Sequence, residues 1–337
     1  MPQRFLFFDL LRCIAAITVV AIHVLTPYKY QLGELPFYQW FTAIAVNGSA
    51  RWAVPVFILI TGALLLSDRR EFEGRYYIKR RLAKVVVPFI VWSVFYAFLS
   101  GWQPEGFELQ TVQHLIVNSY QQETYYHLGF FYYFIPLYLI APAFHFMVRS
   151  NQTQVLNVFV LLWLITSCLY LFSVDGIWSN QLWLYSGYLP LGYILFKQVS
   201  VSRRNIALIS LFGIASVMLT ITMVTNLSLT ADEYRVGRWL SYKTINTIVI
   251  AAMVFLLCRA IAPRLPERLH SMVKSGSRYS LGIYLLHPLF LWPVKFFGWD
   301  DGNPVWMIPF WTLVAFLLAL LASYLLSRSV KTRWLVP

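Results

Sequence analysis

Three ionisable side chains lie in the first apolar stretch of the chain: Asp9, Arg12 and His23. Such groups are costly inside a bilayer; they usually face a bundle interior and by default suggest function. Asp9 and Arg12 are three residues apart, a spacing at which side chains on one helix face can pair. Arg12 and His23 are eleven apart, which is about 1100° of helical rotation and so within about 20° of three full turns. The two therefore share one face, separated along the axis by about 16 Å. Histidine titrates near neutral pH and suits a general base. The blander reading is a buried ion pair near one end of the helix and a histidine reaching the headgroups at the other.

Further candidates lie in four other stretches. Arg51 opens "RWAVPVFILITG", at a depth expected to match that of His23. His127, in "YYHLGFFYYF", falls at the start of another apolar run, where it belongs either to the same polar cluster or to an interfacial aromatic belt. "RYYIKRRLAKVVVP" carries Arg80, Arg81 and Lys84, spaced i,i+4 and i,i+3 for one helical surface. That surface suits phosphate groups, or simply reflects the positive-inside rule. His287, in "SRYSLGIYLLHP", sits about two turns into its helix, where packing or helix pairing is the commoner role.

The elements that position these residues follow from composition. Of 337 residues, 59% are hydrophobic and 12% charged, against about 25% charged in an ordinary soluble domain. Apolar runs near the 20 or so residues that cross a bilayer recur throughout. The chain reads as an all-α polytopic integral membrane protein with about ten transmembrane helices, near 5–27, 41–66, 85–101, 128–148, 153–173, 182–198, 205–227, 239–260, 281–298 and 305–327. Asn47, Gly48, Ser49, Arg51 and Pro55 interrupt the second, predicting a broken or re-entrant helix. The loop 102–127 contains "LQTVQHLIVNSYQQ", which predicts a short helix along the membrane surface. No long polar segment exists to build a soluble domain, so residues 1–337 read as one transmembrane domain.

With the N-terminus in the cytoplasm, 20 Lys and Arg residues fall on the cytoplasmic side and five on the other. That asymmetry predicts cytoplasmic N- and C-termini and an even number of spans. The net charge of +13 is thus spread over loops rather than gathered into a nucleic-acid-binding patch. The first apolar run is too long for a signal peptide's core and contains Asp9 and Arg12, so it is read as a retained helix. Cys13, Cys168 and Cys258 lie far apart within apolar runs and suggest neither disulfides nor a metal site. No inverted repeat is evident, which weighs against a secondary transporter.

Taken together, "FDLLRCIAAITVVAIH", "RWAVPVFILITG", "KRRLAKVVVP", "HLGFF" and "SLGIYLLHP", in that order, resemble the acyltransferase-3 family of integral membrane acyltransferases over nearly the whole chain. The first stretch matches that family's arginine-x10-histidine motif. The resemblance implies a multi-pass protein of the bacterial inner membrane. It would take acetyl-CoA as cytoplasmic donor and a sugar or polysaccharide hydroxyl as acceptor, with no metal. It also implies His23 as the essential histidine and Arg12 as its partner. Arg81 and Lys84 fall where many members carry arginine-x-x-arginine, so the second position here is lysine. Gly129 stands where a tryptophan is common.

The expected chemistry is acyl transfer, which needs a base for the attacking hydroxyl and a positive site for the oxyanion. His23 would be the base, and Arg51 or His127 would steady the oxyanion or the acceptor. Arg12, directed by Asp9, would line the path of the donor arm. Arg80, Arg81 and Lys84 would hold the nucleotide phosphates. Three alternatives stay open at this stage: a transporter or flippase for a lipid-linked or small anionic solute, the same chemistry with another donor such as succinyl-CoA or with an antibiotic, peptidoglycan or lipid acceptor, and a non-catalytic scaffold.

Overall fold

A computed structural model describes residues 5–337. The first helix, α1 (Leu6–Val24), is unbroken for 19 residues because no glycine or proline interrupts it. It stops at Leu25, two residues before Pro27. After a short 3-10 turn come α2 (Phe37–Ala50) and α3 (Ala53–Leu66). Arg51 and Trp52 separate these two but keep right-handed helical dihedrals, so Phe37–Leu66 forms one 30-residue unit long and apolar enough to cross a membrane. The anticipated interruption is a local break rather than a re-entrant loop. Pro55 accounts for it, since it has no N–H to offer the carbonyl of Arg51 four residues back.

The chain continues through α4 (Gly74–Tyr77), a π-helical turn over Ile78–Leu82, and α5 (Ala83–Ser100). Two-residue strands β1 (Trp102–Gln103) and β2 (Gly106–Phe107) pair antiparallel. They lead into α6 (Leu109–Val117), which forms where the surface helix was expected and buries only Val112. Next are α7 (Gly129–Arg149), α8 (Thr153–Leu171), α9 (Gln181–Ser186) and α10 (Tyr188–Lys197). The last five are α11 (Arg203–Ala231), α12 (Ile245–Ile261), α13 (Glu267–Arg278), α14 (Ser280–Phe296) and α15 (Pro304–Arg328).

Eight of these helical units are long and apolar enough to cross a membrane. The other two anticipated spans are helical but differ in form. The 182–198 run is split at Gly187 into α9 and α10, and α14 has 17 residues, a length of about 26 Å. The result is an all-α polytopic membrane protein. Its periphery includes α11, where Leu208, Leu211, Phe212, Ile214 and Met218 face outward, as a lipid-facing helix requires.

Helix α1 occupies the centre, packed against α2, α3, α12, α13, α14 and α15. Two close approaches hold this arrangement. A side chain at Gly62 of α3 would lie 2.0 Å from the Leu189 carbonyl oxygen, and one at Gly192 of α10 would lie 2.0 Å from that of Leu59. The two backbones therefore touch, as small residues allow between membrane helices. At the N-terminal end of α1, the Ser277 hydroxyl of α13 donates to Asp9 Oδ1 at 2.6 Å. Polar side chains join other helices; Asn246 of α12 donates to Thr220 of α11 at 2.8 Å.

Candidate active site

Because α1 is continuous, the rotation that puts Arg12 and His23 on one stripe applies in the folded protein. The two ends of the stripe meet different surroundings. At the His23 end three imidazoles converge. The His23 and His287 rings stack, with centroids 5.1 Å apart and planes 27° apart. The His127 ring lies 5.7 Å from that of His287 at 76°. Tyr126 packs on His23 at 4.7 Å, and Tyr96 packs edge-on against His127 at 4.7 Å. The short spacing of α1, the segment before α7, and α14 creates this cluster; no two of the three histidines are neighbours in sequence.

The three rings are bound differently. His287 is fully buried, and its Nδ1 lies 3.0 Å from the Ile283 carbonyl oxygen. A carbonyl only accepts, so Nδ1 carries a proton, leaving Nε2 as the ring's second polar atom. That Nε2 is buried and has no hydrogen-bond partner among the described residues. His127 is buried too, and neither ring nitrogen is paired among the described residues. The Leu285 carbonyl near it accepts instead from the Tyr96 hydroxyl at 2.5 Å. The His127 carbonyl accepts from the Tyr284 hydroxyl, which fixes the start of α7. His23 alone is half-buried, and its ring nitrogens are not among the sealed, unpaired atoms. Of the three, His23 alone keeps partial exposure.

Cations surround this end. Arg51 and Lys295 lie within electrostatic reach of His23. Arg51 is partly committed to structure: its Nε donates to the Leu240 carbonyl at 2.9 Å and one terminal nitrogen to the Tyr242 hydroxyl at 3.2 Å. Lys295 Nζ sits 4.9 Å from the centre of the Tyr126 ring. Among the described residues, no group of three or more His, Cys, Asp or Glu side chains is arranged to hold a metal ion.

At the Arg12 end a pocket of about 270 Å³ opens between the 65–81 segment and α7. Its lining includes Asp68, Arg70, Tyr76, Tyr77, Arg81 and His145. Arg81 is the one member of the expected basic trio that lines it; Arg80 and Lys84 are exposed. The π turn over Ile78–Leu82 alters the helical register within this stretch, and such turns recur at functional sites. Arg70 clasps Asp68 at 2.5 Å, while Arg81 lies 3.7 Å from the same carboxylate. The Arg70 hydrogen bonds hold the Asp68 carboxyl below its ordinary pKa range, against the opposing effect of partial burial.

A polar line runs inward from this pocket. The Tyr77 hydroxyl donates to the Tyr138 carbonyl at 2.7 Å. Tyr138, on α7, interacts with Thr61 and lies within electrostatic reach of both Arg81 and Arg12. Asp9 is buried and bound to α13 through Ser277, and is not among the residues that line the pocket.

Sequence reasoning had singled out His23, His127, His287, Arg51 and Arg12 but not Tyr126, Lys29, Lys295, Arg70, Tyr138 or His145. The two lysines had entered only as topology charges. Nothing local in "FHFMVR" distinguishes His145.

No curated protein and no solved structure matches the chain. A family model described as an acyltransferase domain, that of the acyltransferase-3 family, matches residues 5–328. Its span takes in the entire Arg12–His23 stripe, the pocket and the histidine cluster, and the chain therefore belongs to the acyltransferase-3 family and is a membrane acyltransferase.

Proposed function

We propose that the protein moves an acetyl group from acetyl-CoA to a hydroxyl of a surface-polysaccharide or lipid-linked sugar, as a multi-pass enzyme of the bacterial inner membrane. Within its family it is most akin, on this reading, to the short form without a soluble appendage, such as the enterobacterial common antigen O-acetyltransferase. The observation that carries the reading is the single stripe of α1. One end bears Arg12 beside a polar line to the pocket; the other bears His23, accessible within an aromatic and cationic cluster. The donor enters from the cytoplasmic side, where the Arg81 pocket lies under the orientation that the lysine and arginine count favours. The acceptor arrives at the opposite end.

In the proposed reaction His23 removes the proton of the acceptor hydroxyl. The hydroxyl oxygen bonds to the thioester carbonyl carbon, the C–S bond breaks, and the departing thiolate takes the proton from His23. Arg51 stabilises the oxyanion through the guanidinium nitrogen left over from its bonds to Leu240 and Tyr242. His287, stacked on His23 and fixed by Ile283, positions the His23 ring. Arg81 and Arg70 hold the nucleotide phosphates, exchanging Asp68 for them, with Arg80 and Lys84 adding charge at the mouth. Asp9 anchors the N-terminal end of α1 so that Arg12 stays directed along the donor path. In a ping-pong variant His23 is itself acetylated first; trapping labelled acetyl-enzyme without acceptor distinguishes the two.

The test uses purified protein, radiolabelled acetyl-CoA and candidate lipid-linked sugars, with label followed into the sugar. Intact solute crossing proteoliposomes with no acetyl-CoA consumed would favour a transporter instead. Succinyl-CoA run in parallel identifies the donor. A second measurement probes the pocket. Arg81→Ala is expected to raise KM for acetyl-CoA by about 10-fold or more, the value of a lost charge-assisted hydrogen bond, with little change in kcat. An unchanged KM removes Arg81 from the donor site.

A further inference from the structure

The His23 end holds three cations, none of them in a close ion pair with a carboxylate among the described residues. Lys29, in the turn after α1, has its Nζ 4.8 Å from the Tyr30 ring and 5.2 Å from that of Tyr234. Arg51 lies over Tyr242 at 4.9 Å, and Lys295 over Tyr126 at 4.9 Å. None of the three has a carboxylate within 4.0 Å among the described residues. Asp300 acts at longer range, on Lys295.

These cations come from three separate segments, so their convergence is a product of the fold. They feel one another: burial first, then Arg51 and Lys295, brings the Lys29 ammonium down to about 8. Tyrosine faces compensate each charge only in part. The space beside them is open. Tyr126 touches His23 and its ring neighbours yet remains 39% exposed, and Lys295 is exposed as well.

A cluster of like charges that no carboxylate contacts directly gains when an anion joins it. The phosphates of the donor cannot supply that anion, because the proposed function puts them beyond the Arg12 end, more than about 16 Å down the stripe. An oxyanion at the reacting carbon needs one donor close by, and Arg51 provides it.

Resting on that reading of the site, we infer that the acceptor is itself anionic, and that Lys29 and Lys295 bind a carboxylate or phosphate group that it carries next to the hydroxyl presented to His23. The shared chemistry is a negatively charged oxygen cluster, borne either on the sugar as a uronate or on the lipid link as a pyrophosphate.

The test measures binding to the full chain in phosphatidylcholine nanodiscs without acetyl-CoA. One probe pair is a glucuronate-containing disaccharide and its methyl ester. The other is N-acetylglucosamine linked to a farnesyl chain through pyrophosphate or through a neutral ether. At least one anionic member should bind about tenfold or more tightly than its neutral mate. The pair that responds tells whether the charge sits on the sugar or on the lipid link. Lys29→Gln with Lys295→Gln should shrink the preference to about twofold or less, and Lys29→Arg with Lys295→Arg should retain it, which separates lost charge from lost fold.

The inference is overturned by equal binding of both members of each pair, by absence of binding, or by a preference that survives the double glutamine variant. Labelled acetyl-CoA is then added to the same samples. Anion-selective binding with no acetyl transfer would sink the proposed reaction and leave the anion site standing. Efficient transfer to neutral sugars with no anion preference would do the reverse.

Discussion

His23→Ala is expected to lower acetyl transfer by about 10²–10⁴-fold, the usual contribution of a positioned general base, while the protein still folds. The second half of that expectation matters as much as the first. His23 is half-buried and its side chain is not part of any hydrogen bond recorded among the described residues. Its removal leaves no partner unsatisfied and forfeits ring contacts with Tyr126 and His287, worth about 0.5–1.5 kcal/mol each. A monodisperse, acetyl-CoA-binding but inactive variant is thus the predicted outcome, checked by gel filtration and by label transfer to the acceptor. KM for acetyl-CoA should stay near the wild-type value, because the proposed phosphate contacts lie at the other end of α1. Equal transfer by His23→Ala and wild type would remove His23 from the mechanism.

The second large effect concerns stability. Gly62→Val should destabilise the bundle by about 3 kcal/mol or more, the upper end of overpacking costs. The obstacle is backbone. A Cβ at Gly62 would sit 2.0 Å from the Leu189 carbonyl oxygen and 2.5 Å from its Cα. A flexible side chain could move aside, whereas α10 must shift as a whole. Gly192 faces the same problem from the opposite helix. Displacing α10 would also disturb Tyr188, whose hydroxyl donates to the Tyr242 carbonyl at 2.6 Å, and with it the residue that receives Arg51. Gly74→Ala is the control, since only the Phe72 ring comes near a Cβ there, at 3.9 Å. Thermal unfolding in detergent should separate the two variants clearly. A Gly62→Val protein as stable as the Gly74→Ala protein would contradict the backbone contact between α3 and α10.

Several features were legible in the sequence because they are local. Apolar runs near bilayer length announced the all-α polytopic fold. The eleven-residue separation of Arg12 and His23 placed both on one face, since helical periodicity holds along any unbroken helix. Pro55 announced a break near Arg51 because a missing N–H has its effect four residues away. The surface helix at Leu109–Val117 was readable for the same kind of reason.

What surrounds that stripe depended on how separate helices meet. The sequence offers His127 as a member either of the polar cluster or of an aromatic belt, and His287 as a packing residue, and nothing near either in sequence brings the two rings together. Their meeting depends on α14 and the segment before α7 both closing on α1. Lys29 and Lys295 counted only towards orientation, and the fold brings them within electrostatic reach of each other and Lys295 within reach of His23. Arg80, Arg81 and Lys84 had looked like one surface on an ideal α-helix, but the π turn over Ile78–Leu82 alters that register, and only Arg81 lines the pocket. Periodicity is a property of one segment and survives translation from sequence to structure. Convergence arises where helices from distant segments approach, and that physical difference is why the stripe and its candidate partners could be read in advance while the contacts among them could not.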